Sequence, residues 1–230
     1  MQRIIGEIPA RYESKRVKQK NLRLINGKPL ICYAIEAAKG AKTLREVYVN
    51  TESDIIGKIA IDNEVKFYKR DASLSTDTAT SDQFNYDFIK GTKADVLVMI
   101  NPVSPLIEAT DIDNVVRFFL ENDYDTVITI REEKLQAFCN DKPINFDINR
   151  MLPRTQDISP IQICAWSVCV WRGKTFLDSF EKKGYAVFSG KIGFYPISFL
   201  KSIKISTEED FLLAEKLLLY KKGGEKNEAN

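Results

Sequence analysis

A cluster of cations and small polar residues follows the first apolar run of the chain, residues 4–8. Cations neutralise phosphate charge, and free backbone N–H groups in a tight loop add donors. A solvated basic loop would have the same composition. The position favours a polyphosphate site, because open α/β sheets bind ligands beyond the carboxyl ends of their strands. The candidate residues are Arg11, Ser14, Lys15, Arg16, Lys18 and Lys20, with Asn21 closing the loop.

A second polar segment, residues 70–82, is rich in Ser and Thr and precedes a predicted helix. Its hydroxyls and unpaired N–H groups suit the edge of a pyrimidine base. Helix capping is the simpler interpretation, since Thr80 or Ser81 is a competent N-cap with Asp82 in the first turn. The two interpretations are compatible, and we favour a nucleotide role for the segment.

The elements that must position these loops alternate between strand and helix, which predicts an α/β fold with a mostly parallel sheet. The predicted strands are 4–8, 46–50, 64–68, 96–100 and 126–130. The predicted helices are 29–39, 54–62, 81–90, 111–122, 172–183 and 208–222, the last ended by Gly223-Gly224 before a frayed tail over 225–230.

Residues 132–171 break this rhythm and predict an arm inserted into a single domain over 1–230. The arm ends in an apolar strand from Ile161. Trp166 and Trp171 differ by an odd number, so a regular strand would turn them to opposite faces. Both could be core, or one could meet a partner. The same parity separates Cys164 from Cys169, and we expect free thiols in a cytoplasmic protein.

Composition excludes several kinds of chemistry. The chain has no histidine, so an imidazole base or a His-ligated zinc is impossible. The 34 Lys and Arg nearly balance the 32 Asp and Glu, which gives no global field for nucleic acid or anionic membrane. No apolar run has the length of a membrane span. Nucleotidyl transfer suits such a chain, because it depends mainly on positioning and charge neutralisation.

The first loop resembles the N-terminal signature of the CMP-sialic acid synthetases (acylneuraminate cytidylyltransferases), Pro-Ala-Arg-Gly-Gly-Ser-Lys-Gly. Tyr12 and Arg16 instead match the related CMP-Kdo synthetases, whereas Glu13 matches neither pattern. The second segment resembles the family run Arg-Pro-x-x-Leu-Ala-x-Asp-x-Ala-x-Ser. The matching residues are Pro9, Ala10, Arg11, Ser14, Lys15, Lys20, Asn21, Arg70, Leu74, Asp77, Ala79 and Ser81.

The resemblance implies a Rossmann-like nucleotidyltransferase fold in which the arm is a dimerisation element. It implies catalysis by Arg11 and Lys20 and assigns the nucleotide to both loops. The implied nucleotide-binding residues are Ala10, Arg11, Ser14, Lys20, Asn21, Arg70 and Ser81. The reaction implied is CTP plus a nonulosonic acid giving a CMP-sugar and pyrophosphate, with Mg²⁺ on the nucleotide.

The sugar side resembles the family less. Residues 101–107 resemble Gln-Pro-Thr-Ser-Pro-Leu-Arg and 156–160 resemble Gln-Asp-Leu-Pro-Pro, which implies sugar contacts from Asn101, Ser104 and Gln156. Asn101, Val103 and Ile107 stand where the family has Gln, Thr and Arg. A rigid Pro-x-x-Pro turn explains the first segment nearly as well. The altered contacts favour either a sugar other than ordinary sialic acid or a weaker hold on its carboxylate.

The metal positions differ most. The family run Asp-Ile-Asp-Thr, whose aspartates are tied to Mg²⁺, is replaced by Lys204-Ile-Ser206-Thr207. An ammonium repels a hard cation, so no metal ligand is assigned, and Lys204 becomes a candidate catalytic cation. Asp210 fits the first turn of a helix capped by Ser206 or Thr207. A sugar-1-phosphate nucleotidylyltransferase using another NTP, or a binding protein with little turnover, remains as an alternative.

Overall fold

The computed structural model describes residues 2–228, with side chains as far as Lys221. Its strands are β1 (Ile4–Pro9), β2 (Leu24–Ile25), β3 (Lys28–Pro29), β4 (Glu46–Thr51), β5 (Lys66–Lys69), β6 (Val96–Ile100), β7 (Thr126–Glu133), β8 (Phe138–Cys139), β9 (Lys142–Pro143), β10 (Ile161–Arg172) and β11 (Ile192–Pro196). Its helices are α1 (Leu30–Gly40), α2 (Asp54–Asp62), α3 (Ser81–Thr92), α4 (Ala109–Glu121), α5 (Gly173–Lys183) and α6 (Glu208–Glu228).

Seven strands form one sheet in the order β11-β7-β10-β6-β1-β4-β5. Neighbouring strands are parallel except β10, which runs antiparallel to β6 and β7. The predicted α/β class with a mostly parallel sheet is therefore confirmed. Because β1, β4, β5 and β6 are parallel, the loops that follow them meet at one edge of the sheet.

Helices cover both faces of the sheet. The face packed by α1, α2 and α4 buries Ile8 and Ile35, and the face packed by α3 and α5 buries Ile5 and Phe88. A third cluster joins α6 to the first loop through Phe211 and other buried residues. This cluster fixes the loop after β1 against the segment that leads into α6.

The structure corrects the expected orientation of the two tryptophans. A register shift between Cys164 and Cys169 interrupts the pairing of β10 with β7, and Trp166 has a positive φ of 59°. An irregularity of this kind changes which face later residues occupy. Trp166 and Trp171 therefore pack on the same side, in the cluster that also holds Cys164 and Cys169, and the opposite-face prediction is wrong for both pairs.

The other differences concern one strand and the end of one helix. The strand β11 was not predicted, and it pairs in parallel with β7 at the edge of the sheet. Helix α6 continues to Glu228, so the predicted stop at Gly223-Gly224 is wrong. Glycine costs about 1 kcal/mol in a helix, which weakens the helix without ending it. The last two residues of the predicted tail, 229–230, lie outside the described residues.

Two expectations concern the chain as a whole. All four cysteines are free thiols, as predicted. In the part of the chain that the structure describes, no helix is both long and apolar enough to cross a membrane.

Candidate active site

Two cavities lie side by side at the carboxyl edge of the sheet. One has a volume of about 500 Å³ and is bounded by the end of β1, the 70–81 segment, β6, β10 and Lys204. The other has a volume of about 400 Å³ and is bounded by the first loop and the turn after β6. They share Pro9, Arg11, Asp77 and Asn101 as walls. The two predicted loops therefore build one continuous site.

The smaller cavity is cationic. Arg11, Lys15, Arg16 and Lys20 line it, and Asp77 is the carboxylate among its lining residues. Arg11 Nη1 lies 3.0 Å from Asp77 Oδ1, and Lys15 Nζ lies 2.5 Å from Asp77 Oδ2. Four cations around a single carboxylate leave an excess of positive charge, which suits a polyphosphate.

The surroundings of Lys20 lower its pKa. Its Nζ donates a hydrogen bond of 2.8 Å to the carbonyl oxygen of Ile205, which ties the first loop to the segment before α6. Burial lowers the pKa of Lys20 to about 8, and the positive charges of Arg16, Lys204 and Arg11 add to this effect. A neighbouring anion would relieve this repulsion, so Lys20 is poised for an anionic ligand.

Ala10, Ser14 and Asn21 complete the predicted nucleotide-binding residues of the first loop, whereas Lys18, another candidate, lines neither cavity. Asn21 is buried and donates from Nδ2 to the Arg11 carbonyl oxygen at 3.0 Å, which fixes the path of the loop. Its Oδ1 has no hydrogen-bond partner among residues 2–221. Ser14 and Asn21 line the smaller cavity and Ala10 lines the larger.

Arg70 forms the wall of the larger cavity beneath the 70–81 segment. Its guanidinium is buried and donates to the Ala10 carbonyl oxygen at 2.8 Å and to Ser75 Oγ at 2.9 Å. Phe84 lies under the guanidinium, with its ring centroid 5.2 Å from Cζ. Arg70 therefore joins the ends of β1 and β5 into one rigid wall.

The capping interpretation of the same segment is also confirmed. Thr80 is the N-cap of α3, and its side chain forms a reciprocal capping box with Gln83. Ser81, the first helical residue, lines the larger cavity. The helix N-terminus therefore faces the site, where its N–H groups and dipole favour negative charge.

Apolar residues to which the sequence assigned no role at the site form the rest of the larger cavity. The sequence could not predict this apolar wall, because it depends on the register shift in β10 that brings both tryptophans to one side of the sheet. A flat apolar wall next to a buried guanidinium can hold a base and a ribose. The residues are Met99, Trp166, Trp171, Phe84, Leu74 and Val187.

The three predicted sugar contacts do not come together. Asn101 lines both cavities and donates from Nδ2 to the Trp166 carbonyl oxygen at 3.3 Å. Ser104 is buried beneath the turn and lines neither cavity. Gln156 lies exposed on the arm, where its carbonyl oxygen accepts from Lys134 Nζ. Only Asn101 of the three is placed at the site.

The residues near Lys204 do not fit a metal ion held by the protein. Lys204 lines the larger cavity, and Asp210 Oδ2 accepts from the Ser206 and Thr207 amides, each at 2.8 Å. Glu208 pairs with Arg23. No group of three potential metal-binding side chains occurs within the described residues. Asp210 therefore lies in the capped first turn of α6, as predicted, and Glu208 is held by a cation.

Comparisons with known proteins agree with this geometry. The sequence model of a family described as cytidylyltransferase matches residues 5–153. The chain is 28% identical to post-translational flagellin modification protein B of Campylobacter coli, over 95% of this chain and 96% of that protein. It is also 28% identical to the CMP-N,N'-diacetyllegionaminic acid synthase of Legionella pneumophila, over 94% and 96%.

This chain matches about half the length of a longer relative. The N-acylneuraminate cytidylyltransferase of Streptococcus agalactiae serotype III is 28% identical over 89% of this chain but 51% of its own length, so the chain spans about half of that protein. Among solved structures, a CMP:2-keto-3-deoxy-manno-octonic acid synthetase complexed with CTP superposes with a TM-score of 0.72 at 15% identity, covering 96% of this chain and 100% of that one. That likeness shows that the two chains share a fold.

Proposed function

The chain belongs to the cytidylyltransferase family, and we propose that it transfers the CMP group of CTP to a sugar acid of the nonulosonic class. The observation that carries the proposal is the junction of the two cavities at Arg11. The apolar cavity accommodates the base and ribose, and the cationic cavity accommodates the phosphates. The names of the legionaminic acid and acylneuraminate relatives support this class of acceptor.

In this reaction a hydroxyl oxygen of the sugar attacks the α-phosphorus in line. The new P–O bond forms as the bond to the bridging oxygen of pyrophosphate breaks, and the hydroxyl proton passes to solvent. Arg11 and Lys20 line the cavity that would receive pyrophosphate, so their charges stabilise the leaving group. The nucleotide is oriented by the side chains of Ser14, Asn21, Arg70 and Ser81, and it lies against the backbone of Ala10.

In this proposal, Mg²⁺ binds together with the phosphates of the nucleotide. Near Lys204, the Asp210 carboxylate caps α6 and the Glu208 carboxylate pairs with Arg23, so these two side chains do not supply its ligands. Lys204 provides a fixed positive charge at the wall of the larger cavity. Asn101 is the side chain best placed to contact the sugar.

A homodimer is part of the same proposal. Apolar side chains on the arm are widely exposed, with 94% exposure at Met151, 62% at Leu152 and 61% at Ile148. Apolar residues grouped in this way mark an interaction surface, and an arm crossing to a second copy would cover them. We place the activity in the cytoplasm, where CTP is available.

Two observations favour a second candidate, a sugar-1-phosphate nucleotidylyltransferase using another NTP. Ser104 and Gln156 lie outside the cavities, and Lys204 adds a cation that suits a phosphorylated acceptor. A homologue that binds nucleotide-sugars with little turnover is the third candidate. These three differ in which acceptor, if any, is consumed.

Pyrophosphate release tests the proposal. The protein is incubated with Mg²⁺, each of the four NTPs and a panel of nonulosonic acids, Kdo and sugar-1-phosphates. We expect pyrophosphate release only when CTP and a nonulosonic acid are both present. Release with a sugar-1-phosphate would favour the second candidate. Nucleotide binding without release from any pair would favour the third.

A further inference from the structure

The backbone at Trp166 adopts a conformation that is rare for a bulky residue. Its φ of 59° lies in the left-handed region, within the irregular stretch of β10 between Cys164 and Cys169. Glycine occupies this region freely, whereas a large side chain does so only when the surrounding structure fixes it. Outliers of this kind are concentrated at functional sites, and the indole of Trp166 lines the larger cavity.

Hydrogen bonds hold this outlier in place. The buried Thr129 hydroxyl accepts from the amides of Ser167 and Val168, each at 3.1 Å, and donates to the Val168 carbonyl oxygen at 3.0 Å. Asn101 donates from its backbone amide to the Ser167 carbonyl oxygen at 2.9 Å and from Nδ2 to the Trp166 carbonyl oxygen at 3.3 Å. The tertiary structure therefore maintains the outlier and keeps the indole at the cavity.

Phe188 packs against this indole from the loop before β11. Its ring lies edge-on to that of Trp166, with the centroids 5.8 Å apart, and the residue is 53% exposed. The preceding backbone is fixed, because Asp82 Oδ1 accepts from the Val187 amide at 2.8 Å and Trp171 Nε1 donates to the Val187 carbonyl oxygen at 2.9 Å. A rigidly held aromatic ring that remains open to solvent is a surface suited to an apolar ligand group.

Two groups of residues line the larger cavity. One group belongs to the 70–81 segment, whose hydroxyls and adjoining helix N-terminus serve the nucleotide in the proposed function. The other group comes from β6, β10 and the residues next to them, and it includes Asn101 and Trp166. Asn101 also lines the smaller cavity, so this second group extends to the junction where the α-phosphate would lie.

In-line transfer assigns the acceptor to this second group. Pyrophosphate leaves into the smaller cavity, and the attacking and leaving oxygens lie on opposite sides of the phosphorus. The acceptor hydroxyl must therefore approach through the larger cavity. With the nucleoside on the 70–81 segment, the wall that remains for the sugar is the one that Asn101 and Trp166 form.

The surface that this wall offers is apolar. Trp166 and Phe188 provide two aromatic rings in contact, and Met99 and Val187 line the same cavity. A methyl group is stabilised on such a surface, whereas a hydroxyl without a partner there loses its hydrogen bonds to water. The wall therefore discriminates by the number of hydroxyls that the sugar presents to it.

We propose that Trp166 and Phe188 determine the acceptor specificity of this protein. They receive a part of the sugar acid in which methyl-bearing groups, such as deoxy carbons and acylamido groups, replace hydroxyls. This inference rests on the proposed function and names the chemistry of the acceptor side chain within it.

Steady-state kinetics with CTP and Mg²⁺ test it with two acceptors of the same carbon skeleton. N-acetylneuraminic acid presents a hydroxylated side chain, whereas N,N'-diacetyllegionaminic acid has a methyl and an acetamido group in place of a hydroxymethyl and a hydroxyl group. We expect the wild type to use the second acceptor with a kcat/KM at least about tenfold higher, the discrimination that apolar contacts of this size provide.

Trp166→Gly tolerates the positive φ and removes the indole. It should raise the KM for the methyl-bearing acceptor about tenfold and reduce the preference to about threefold or less, while the Kd for CTP in calorimetric titration changes less than about threefold. Phe188→Ala, at an exposed position, should shift the preference in the same direction. Tyr185→Ala is the matched control and should keep the wild-type preference, because Tyr185 is a 59% exposed aromatic residue of the same loop that lines neither cavity.

A wild type that prefers the hydroxylated acceptor, or an active Trp166→Gly with the wild-type preference, would overturn the inference alone. So would a loss of affinity for CTP instead of for the sugar. Dissociation of a wild-type dimer by Phe188→Ala, measured by light scattering, would assign that ring to an interface between copies and also overturn it. If Trp166→Gly does not fold, Phe188→Ala decides between these outcomes. A wild type that releases pyrophosphate with no sugar acid would defeat the proposed function together with the inference.

Discussion

Arg11 and Asp77 form an ion pair across the junction of the two cavities, with Arg11 Nη1 3.0 Å from Asp77 Oδ1. Lys15 contacts the other oxygen of the same carboxylate. Asp77 therefore occupies a position between two cations that a phosphate oxygen would also favour. A triphosphate entering the site has to compete with this carboxylate.

Asp77→Asn should strengthen CTP binding by about three- to tenfold, because two partly exposed ion pairs of up to about 1 kcal/mol each no longer compete. Calorimetric titration measures the change. Asp71→Asn is the matched control, since that carboxylate lies in the same segment and hydrogen-bonds Ser73 instead of the cations. Weaker binding by Asp77→Asn would mean that Asp77 itself holds the ligand.

Lys20→Ala should weaken CTP binding by about 1.5–3 kcal/mol, the worth of a charge-assisted contact with phosphate. The nearby exposed Lys18, which lines neither cavity, provides the control variant Lys18→Ala. Because the pKa of Lys20 is lowered to about 8, wild-type binding near pH 8.5 should also take up protons. Comparing titrations in buffers of different ionisation enthalpy detects this uptake, and unchanged affinity in Lys20→Ala would remove Lys20 from the site.

The sequence predicted those features that depend on local pattern. Helix α2 was predicted with its observed bounds, and the order of strands and helices followed from their alternation. The two loops come together because parallel strands end at one edge. Arg11 and Arg70 could be assigned to one site for that reason.

Features that depend on tertiary contact could not be predicted. The shared side of Trp166 and Trp171 depends on one irregularity in β10, which period-two counting assumes to be absent. A role for Glu7 could not be predicted from the apolar run in which it lies, since its burial beside Asn50 of β4 depends on tertiary packing. Ser104 and Gln156 keep a recognisable motif but lie away from the cavities, because a motif records sequence order and not orientation.

Glu7→Gln should stabilise the fold increasingly as the pH rises. The pKa of Glu7 is raised from 4.5 to about 8 on folding. The wild type therefore keeps its full stability below about pH 4.5 and loses it progressively up to about pH 8, by roughly 3–5 kcal/mol in total. Urea denaturation at several pH values measures the difference between the two proteins.

Glu52 provides the control for that measurement. Burial raises the pKa of Glu52, but the hydrogen bond from the Tyr12 amide and the charge of Arg70 lower it overall. Its carboxylate therefore contributes stability above its pKa, and Glu52→Gln should bring no gain near pH 8. A constant difference between wild type and Glu7→Gln across this range would show that Glu7 titrates normally.

Met151→Glu combined with Leu152→Glu should convert a dimer of this protein into monomers. Burying two carboxylates in an apolar interface is unfavourable, and these side chains are 94% and 62% exposed in the single chain. Light scattering at micromolar concentration measures the mass. Ile61→Glu, at a 62% exposed position on α2, is the control and should leave the dimer intact. A monomeric wild type would contradict the proposed assembly.

Lys204→Asp combined with Ser206→Asp should create Mg²⁺ binding in the free protein. Lys204 is exposed and Ser206 half-buried, on either side of the fully buried Ile205, so carboxylates at both positions would be accessible to a metal ion. The double change lowers the local charge by about three units and supplies the oxygen ligands that Mg²⁺ prefers. Calorimetric titration with Mg²⁺ should detect binding in the double variant and little in wild type or in Lys204→Ala, which removes the cation without adding ligands. Lys204→Ala should weaken CTP binding as well. Strong Mg²⁺ binding to the free wild type, or turnover insensitive to both changes, would show that Lys204 does not stand in for a metal ion.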